Sequence, residues 1–192
     1  MIRMTQEYMR RSLSVFPSVV LLIILGTPAT VGSTTLTLSI DKCARISDSV
    51  SSARLLVDFG DLIALRGKEI LYAKASLNVR VDSCVETSGE IDVHPISRPW
   101  AVADVSWEKP WEVAGGDFSS KFGRVTNIHY GQTSVEILLT ELVQAWASGR
   151  VANYGVLLES LSADCADGLH PFHASPHPGY GTLVVKYVNM HD

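Results

Sequence analysis

The sequence predicts an all-β fold, an antiparallel β-sandwich carrying one short helix. Two observations lead there. From Gly32 onward, short stretches of alternating apolar and polar residues are separated by Gly, Pro, Asp and Ser, the punctuation of a sheet protein with many turns. Only one stretch departs from that period with helical spacing. The 192 residues, 46% of them hydrophobic, suffice for one domain with a substantial core.

The first readable strand has Ala53, Leu55, Val57 and Phe59 alternating with Arg54, Leu56 and Asp58, so the first row is expected in the core and the second in water. The clearest strand runs from Ile70 to Val81. Leu71, Ala73, Ala75, Leu77, Val79 and Val81 are expected inside, and Tyr72, Lys74, Ser76, Asn78 and Arg80 outside. Ile91 and Val93 against Glu90, Asp92 and His94 make the next strand, and Val135, Ile137 and Leu139 against Ser134 and Glu136 another. A short helix follows. Thr140 is its expected cap, Glu141 suits its first turn, Leu142, Val143, Ala145 and Trp146 form one apolar face, and Gly149 stops it. Tyr154 to Ser160 is a further strand, Gly168 to Gly181 is loop-dominated, and Leu183, Val185 and Tyr187 alternate with Lys186 in the closing strand. Uneven spacing and long polar connections favour a jelly-roll sandwich over a barrel.

Residues 1–29 read as a secretory signal peptide, leaving 30–192 as the sandwich domain. Arg3, Arg10 and Arg11 form a positive n-region, Leu13 to Leu25 an apolar h-region, and Thr27-Pro28-Ala29 a small-residue cleavage site. The rival is an uncleaved anchor, but the apolar run is interrupted by Pro17 and is shorter than the ~20 residues of a bilayer span. The expected localisation is secreted or extracellular, with the periplasm or cell surface as alternatives, and no stable membrane span after cleavage.

Cleavage removes those three arginines and Glu7, leaving 13 basic and 19 acidic residues, a net charge of −6. With no basic run in the chain, nucleic acid is an unfavourable partner, because phosphate-backbone binding needs clustered Lys and Arg. Cys43, Cys84 and Cys165 allow one disulfide in an oxidising compartment and leave one thiol over, with the pairing open.

His170, His173 and His177 have spacings that could converge on a metal, yet they sit among prolines with no nearby acid as an outer partner. No metal site and no cofactor are expected. There is no G-x-S-x-G elbow, and Asp104, Glu108, Glu112 and Asp117 fall in loops any soluble domain would have, so no catalytic residues are assigned and no enzyme activity is expected.

Flat rings and planar hydrogen-bonding side chains suit sugars. Trp146 and Trp107 read as core, Trp100 as buried, and Trp111 as either a platform or a loop plug. Tyr72, Lys74, Asn78 and Arg80 share the wet face of the clearest strand, while Arg98, Lys109, Lys121 and Arg124 lie in the central third of the chain. If these two groups meet, they offer forks and point charges to the carboxylates of an acidic sugar. The expected ligand-binding set is Tyr72, Lys74, Asn78, Arg80, Arg98, Lys109 and Trp111.

Three stretches resemble the DNRLRE-domain family. Residues 52–81, SARLLVDFGDLIALRGKEILYAKASLNVRV, are similar to its strand, polar turn and long second strand. Residues 91–111 are similar to its strand, acidic turn and Val-Ser-Trp step, here Trp100, Asp104 and Val105-Ser106-Trp107. Residues 135–160 carry Val143-Gln144-Ala145-Trp146 and Asn153-Tyr154-Gly155-Val156. The chain departs from the family in a shorter, Ser-rich segment from Asp41 to Ser52 and in its cysteines. The resemblance implies a secreted jelly-roll module that binds polysaccharide without catalysis, including acidic polymers such as alginate. The alternatives are a structural or adhesive cell-surface module that binds protein, and a small polysaccharide-processing enzyme.

Overall fold

Period-two alternation lays the chain into two antiparallel sheets, seen in a computed structural model that describes residues 32–48, 53–78, 88–129, 132, 134–160 and 181–189. The elements are β1 (Thr34–Ser39), β2 (Lys42–Ser47), β3 (Ala53–Asp58), β4 (Lys68–Asn78), β5 (Ser88–Pro95), β6 (Arg124–His129), β7 (Ser134–Leu138), α1 (Thr140–Ala147), β8 (Val156–Ser160) and β9 (Gly181–Asn189). One sheet has the order β1-β9-β4-β7 and the other β2-β3-β8-β5-β6. The chain changes sheet at most steps; β2 and β3 form a hairpin within one sheet, as do β5 and β6. The predicted leader, residues 1–29, lies outside the described residues. Among the described residues no helix is long and apolar enough to cross a membrane.

The core between the sheets is built from one row of each strand. Leu55 and Val57, Ile91 and Val93, and Val156 and Leu158 meet Ala73, Ala75 and Leu77, Val135 and Ile137, and Leu183 and Val185. Each fully buried Val, Leu or Ile side chain among them stabilises by about 1.5–3 kcal/mol relative to exposure. Helix α1 adds Leu142, Val143 and Trp146 to the same core.

Three expectations about these elements change. A β-bulge between Ile70 and Tyr72 shifts the start of β4, so Ile70 is buried and Leu71, expected inside, is 49% exposed. Below the bulge Ala73, Ala75 and Leu77 point inward as expected; Val79 to Val81 lie outside the described residues. Thr140 does not cap α1. The cap position is Leu139, and the Thr140 hydroxyl oxygen instead accepts the Ala73 N–H at 3.0 Å, tying helix to sheet.

The third change concerns the outer face of the β3-containing sheet, expected to be wet. Segment 97–123 folds across it and makes a second core of Ile46, Leu56, Ile96, Trp100, Trp111 and Leu157, with Trp107 and Phe118 packed alongside. Leu56 and Leu157 are fully buried. The indole N–H of Trp100 donates to the Tyr154 carbonyl and that of Trp111 to the Ser106 carbonyl, each at 2.9 Å, so both rings are buried without an unpaired donor. His94, also expected in water, is buried, stacks on Phe118 at 4.5 Å and lies 2.9 Å from Asp92.

Candidate functional site

Tyr72, Lys74 and Asn78 stand together on the outer face of the β4-containing sheet, as their alternation requires. Lys186 lies opposite Tyr72, Val184 and Leu138 flank Lys74, and Ser134 lies opposite Asn78. Lys74 is already engaged by Glu136 at 2.5 Å. The hydrogen bond it donates to the Glu136 carboxylate is the largest reason its ammonium is held above the usual lysine range. Arg80 lies outside the described residues.

Arg98, Lys109 and Trp111 belong to the cap, segment 97–123, on the outer face of the other sheet. The shared core lies between the two groups, so the structure does not bring them together as one site. Arg98 is bound to Asp117 at 2.8 Å and to Glu112. Asp117 also accepts the backbone N–H groups of Glu112 and Val113. Burial pushes the Asp117 carboxyl up, but those N–H groups and then Arg98 outweigh it and hold it below the usual range. A shallow depression of about 530 Å³ lies here, lined by Ser97, Arg98, Glu112, Val113, Asp117 and Phe118 among others. Trp111, expected in the binding set, is only 8% exposed; it anchors the cap and offers no ring face. Lys109 is exposed.

A second concavity lies elsewhere, a cleft of about 1090 Å³ at one end of the sandwich. Three segments build it. The β1–β2 turn supplies Asp41; the end of β3 and the β3–β4 connection supply Asp58, Gly60, Asp61, Leu62, Ile63 and Arg66; the end of α1 and its link to β8 supply Trp146, Ser148, Val151 and Asn153. Local bonds fix these walls. Asn153 donates to the Gly60 carbonyl at 2.9 Å and accepts the Gly155 N–H at 3.1 Å. Asp58 accepts the Gly60 N–H at 2.9 Å and pairs with Lys42 at 3.1 Å. Asp61 accepts the Ile63 N–H at 2.8 Å, closing the turn into a short 3-10 segment, Ile63–Leu65. Gly155 has φ of 86°, and a Cβ there would overlap the Val57 carbonyl oxygen; only glycine lets the link run this close to β3.

Within the cleft, the Asp41 carboxylate and the Arg66 guanidinium have no side-chain partner among the described residues. The buried Trp146 indole N–H likewise has no acceptor among them. Ile63 is exposed on the rim and Leu62 is buried behind it. The arrangement can accept hydroxyl protons at carboxylates, donate from a guanidinium fork and lay apolar surface beside them. Sequence reasoning missed this site because its polar residues come from three separate turns.

Among the described residues no group of three or more His, Cys, Asp or Glu is placed to hold a metal ion; His170, His173 and His177 lie outside them. Asp104, Glu108, Glu112 and Asp117 all fall in the cap. No protein-family model and no curated protein matches the chain.

Proposed function

We propose that the chain is a non-catalytic carbohydrate-binding module that holds its glycan in the end cleft. The observation that carries this reading is the combination in one concavity of Asp41 and Arg66, which have no side-chain partner among the described residues, with the apolar side chains of Leu62, Ile63 and Val151. Sugars present vicinal hydroxyls and apolar C–H faces, and sites for small ligands pair a few fixed polar groups with apolar lining in clefts of about 300–1,000 Å³. The cleft is slightly larger than that range, open enough for part of a polymer. The resemblance of residues 52–81, 91–111 and 135–160 to the DNRLRE-domain family points the same way, and the leader read in residues 1–29 would export such a module to a compartment where polysaccharides are met.

A neutral glycan fits this cleft better than a polyuronate. Asp41 and Asp61 accept hydroxyl protons but repel carboxylates, and Arg66 is the one cation in its lining among the described residues. Lys74 and Arg98, the groups expected to attract an acidic polymer, each already hold carboxylates of this chain. Alginate therefore becomes the comparison arm of the test.

The test is calorimetric titration and affinity electrophoresis of the protein with neutral glucans, pectin and alginate. Retardation by a neutral polymer supports the reading, and no retardation by any polymer favours the structural or adhesive alternative. New reducing or unsaturated ends after incubation with the same polymers would replace it with an enzymatic one.

A further inference from the structure

We propose that β1 is a self-association edge, pairing antiparallel with β1 of a second copy about a two-fold axis through Thr37. A sheet edge presents unpaired N–H and C=O groups, and proteins protect such edges with charge, proline, bulges or a covering element. The four edge strands described here are β1 and β7 of one sheet and β2 and β6 of the other. Three are defended. β6 and β7 lie beside each other, with the Thr126 hydroxyl donating to the Glu136 carbonyl at 3.1 Å, and β2 carries Lys42 and Arg45. β1, reading TTLTLS, has no charge and no proline, and it pairs with β9 over six residues without a bulge. Among the described residues nothing pairs with its other side.

The side chains of β1 select the occupant. Leu36 and Leu38 are partly buried against the main core, while Thr35, Thr37 and Ser39 are exposed on the outer face. Directly opposed residues in a sheet share a face. In an antiparallel pair centred on Thr37, Leu36 therefore meets the copy's Leu38, Leu38 meets its Leu36, and Thr35 meets its Ser39. Apolar meets apolar and hydroxyl meets hydroxyl, with no like charges opposed, as a two-fold interface requires. The two copies would then share one continuous eight-stranded sheet.

The experiment is sedimentation velocity over a range of concentrations for the protein, for Thr37→Lys, for Thr37→Glu and for an equimolar mixture of the two variants. Thr37 is exposed, so neither change should alter the far-ultraviolet spectrum, or the melting temperature at concentrations where the parent is monomeric. The protein is expected to move to twice the monomer mass as concentration rises. Each variant alone is expected to remain monomeric because like charges are opposed across the axis, and the mixture is expected to recover the dimer. A protein that stays monomeric throughout, a lysine variant that dimerises as well as the parent, or a mixture that fails to recover would each overturn the proposal.

Discussion

Arg54 and Glu159 face each other across β3 and β8 and form an ion pair of 2.5 Å beneath the cap. The guanidinium also donates to the Gly115 carbonyl at 2.7 Å and lies 5.1 Å from the ring centre of Trp107 and 5.3 Å from that of Phe118. One cation thus joins the sheet to the cap, which explains why a face carrying Arg54, Asp58 and Glu159 is covered and not wet.

Replacing Arg54 with Met should cost about 2–3 kcal/mol in urea unfolding, somewhat below the ~3–5 kcal/mol for breaking a fully buried pair, because both side chains keep some exposure. The double variant Arg54→Met, Glu159→Gln should recover part of that loss. Equal stability of the single variant and the parent would mean that the pair does not hold the cap. Glycan affinity should not change in either, since neither Arg54 nor Glu159 lines the cleft.

Asp117 gives the cap an acid limit. Its carboxyl is held below the usual range, so the stabilisation it supplies is complete above the ordinary carboxylate pKa of about 3.9 and is lost as pH falls through the lower folded value. Tryptophan fluorescence should report loosening of the cap only below that ordinary value. Asp117→Asn should remove this transition; an unchanged acid profile in the variant would assign it to other carboxylates.

Gly155→Ala should destabilise the fold by at least ~2 kcal/mol, combining the cost of left-handed backbone with a steric overlap against Val57 that requires β3 or the link to move. Thermal melting measures this. Gly67→Ala is the control, since it also has positive φ but open space around its would-be Cβ, and it should cost only about 1 kcal/mol. A smaller loss at Gly155 than at Gly67 would contradict the tight approach.

Cys43 is a free thiol buried in the main core, and burial pushes its pKa up. Both effects suppress thiolate chemistry. Mass spectrometry after brief exposure to an alkylating reagent should find Cys43 unmodified in the native protein and modified after denaturation. Rapid native labelling would show that β2 opens. Cys84 and Cys165 lie outside the described residues.

The sequence made β3, β4, β5, β7, β8, β9 and α1 legible because each is amphipathic with a clear period, although β8 starts at Val156 and not at Tyr154. β1, β2 and β6 were not singled out: β2 and β6 have few apolar residues, and Val125 of β6 points outward at 57% exposure. The covered outer face had a signal that alternation alone passed over. Leu55-Leu56-Val57 and Val156-Leu157-Leu158 are continuous apolar runs, the pattern of strands buried on both faces. The bulge at Ile70 and Tyr72 leaves no such trace, since both registers put an apolar residue inside. The cleft was unreadable for a different reason: Asp41, Arg66 and Asn153 are ordinary turn residues until β1–β2, β3–β4 and the end of α1 arrive at the same end of the sandwich.

The measurement that tests the central claim most directly is calorimetric titration of neutral oligosaccharides into the protein and into Asp41→Ala and Arg66→Ala. Both residues are exposed and have no side-chain partner among the described residues, so the melting temperatures of the variants should match the parent. A charge-assisted hydrogen bond contributes about 1.5–3 kcal/mol, so each variant should bind at least about tenfold more weakly. Full affinity in both variants, or binding that is lost in Lys74→Ala instead, would contradict a glycan site in the cleft.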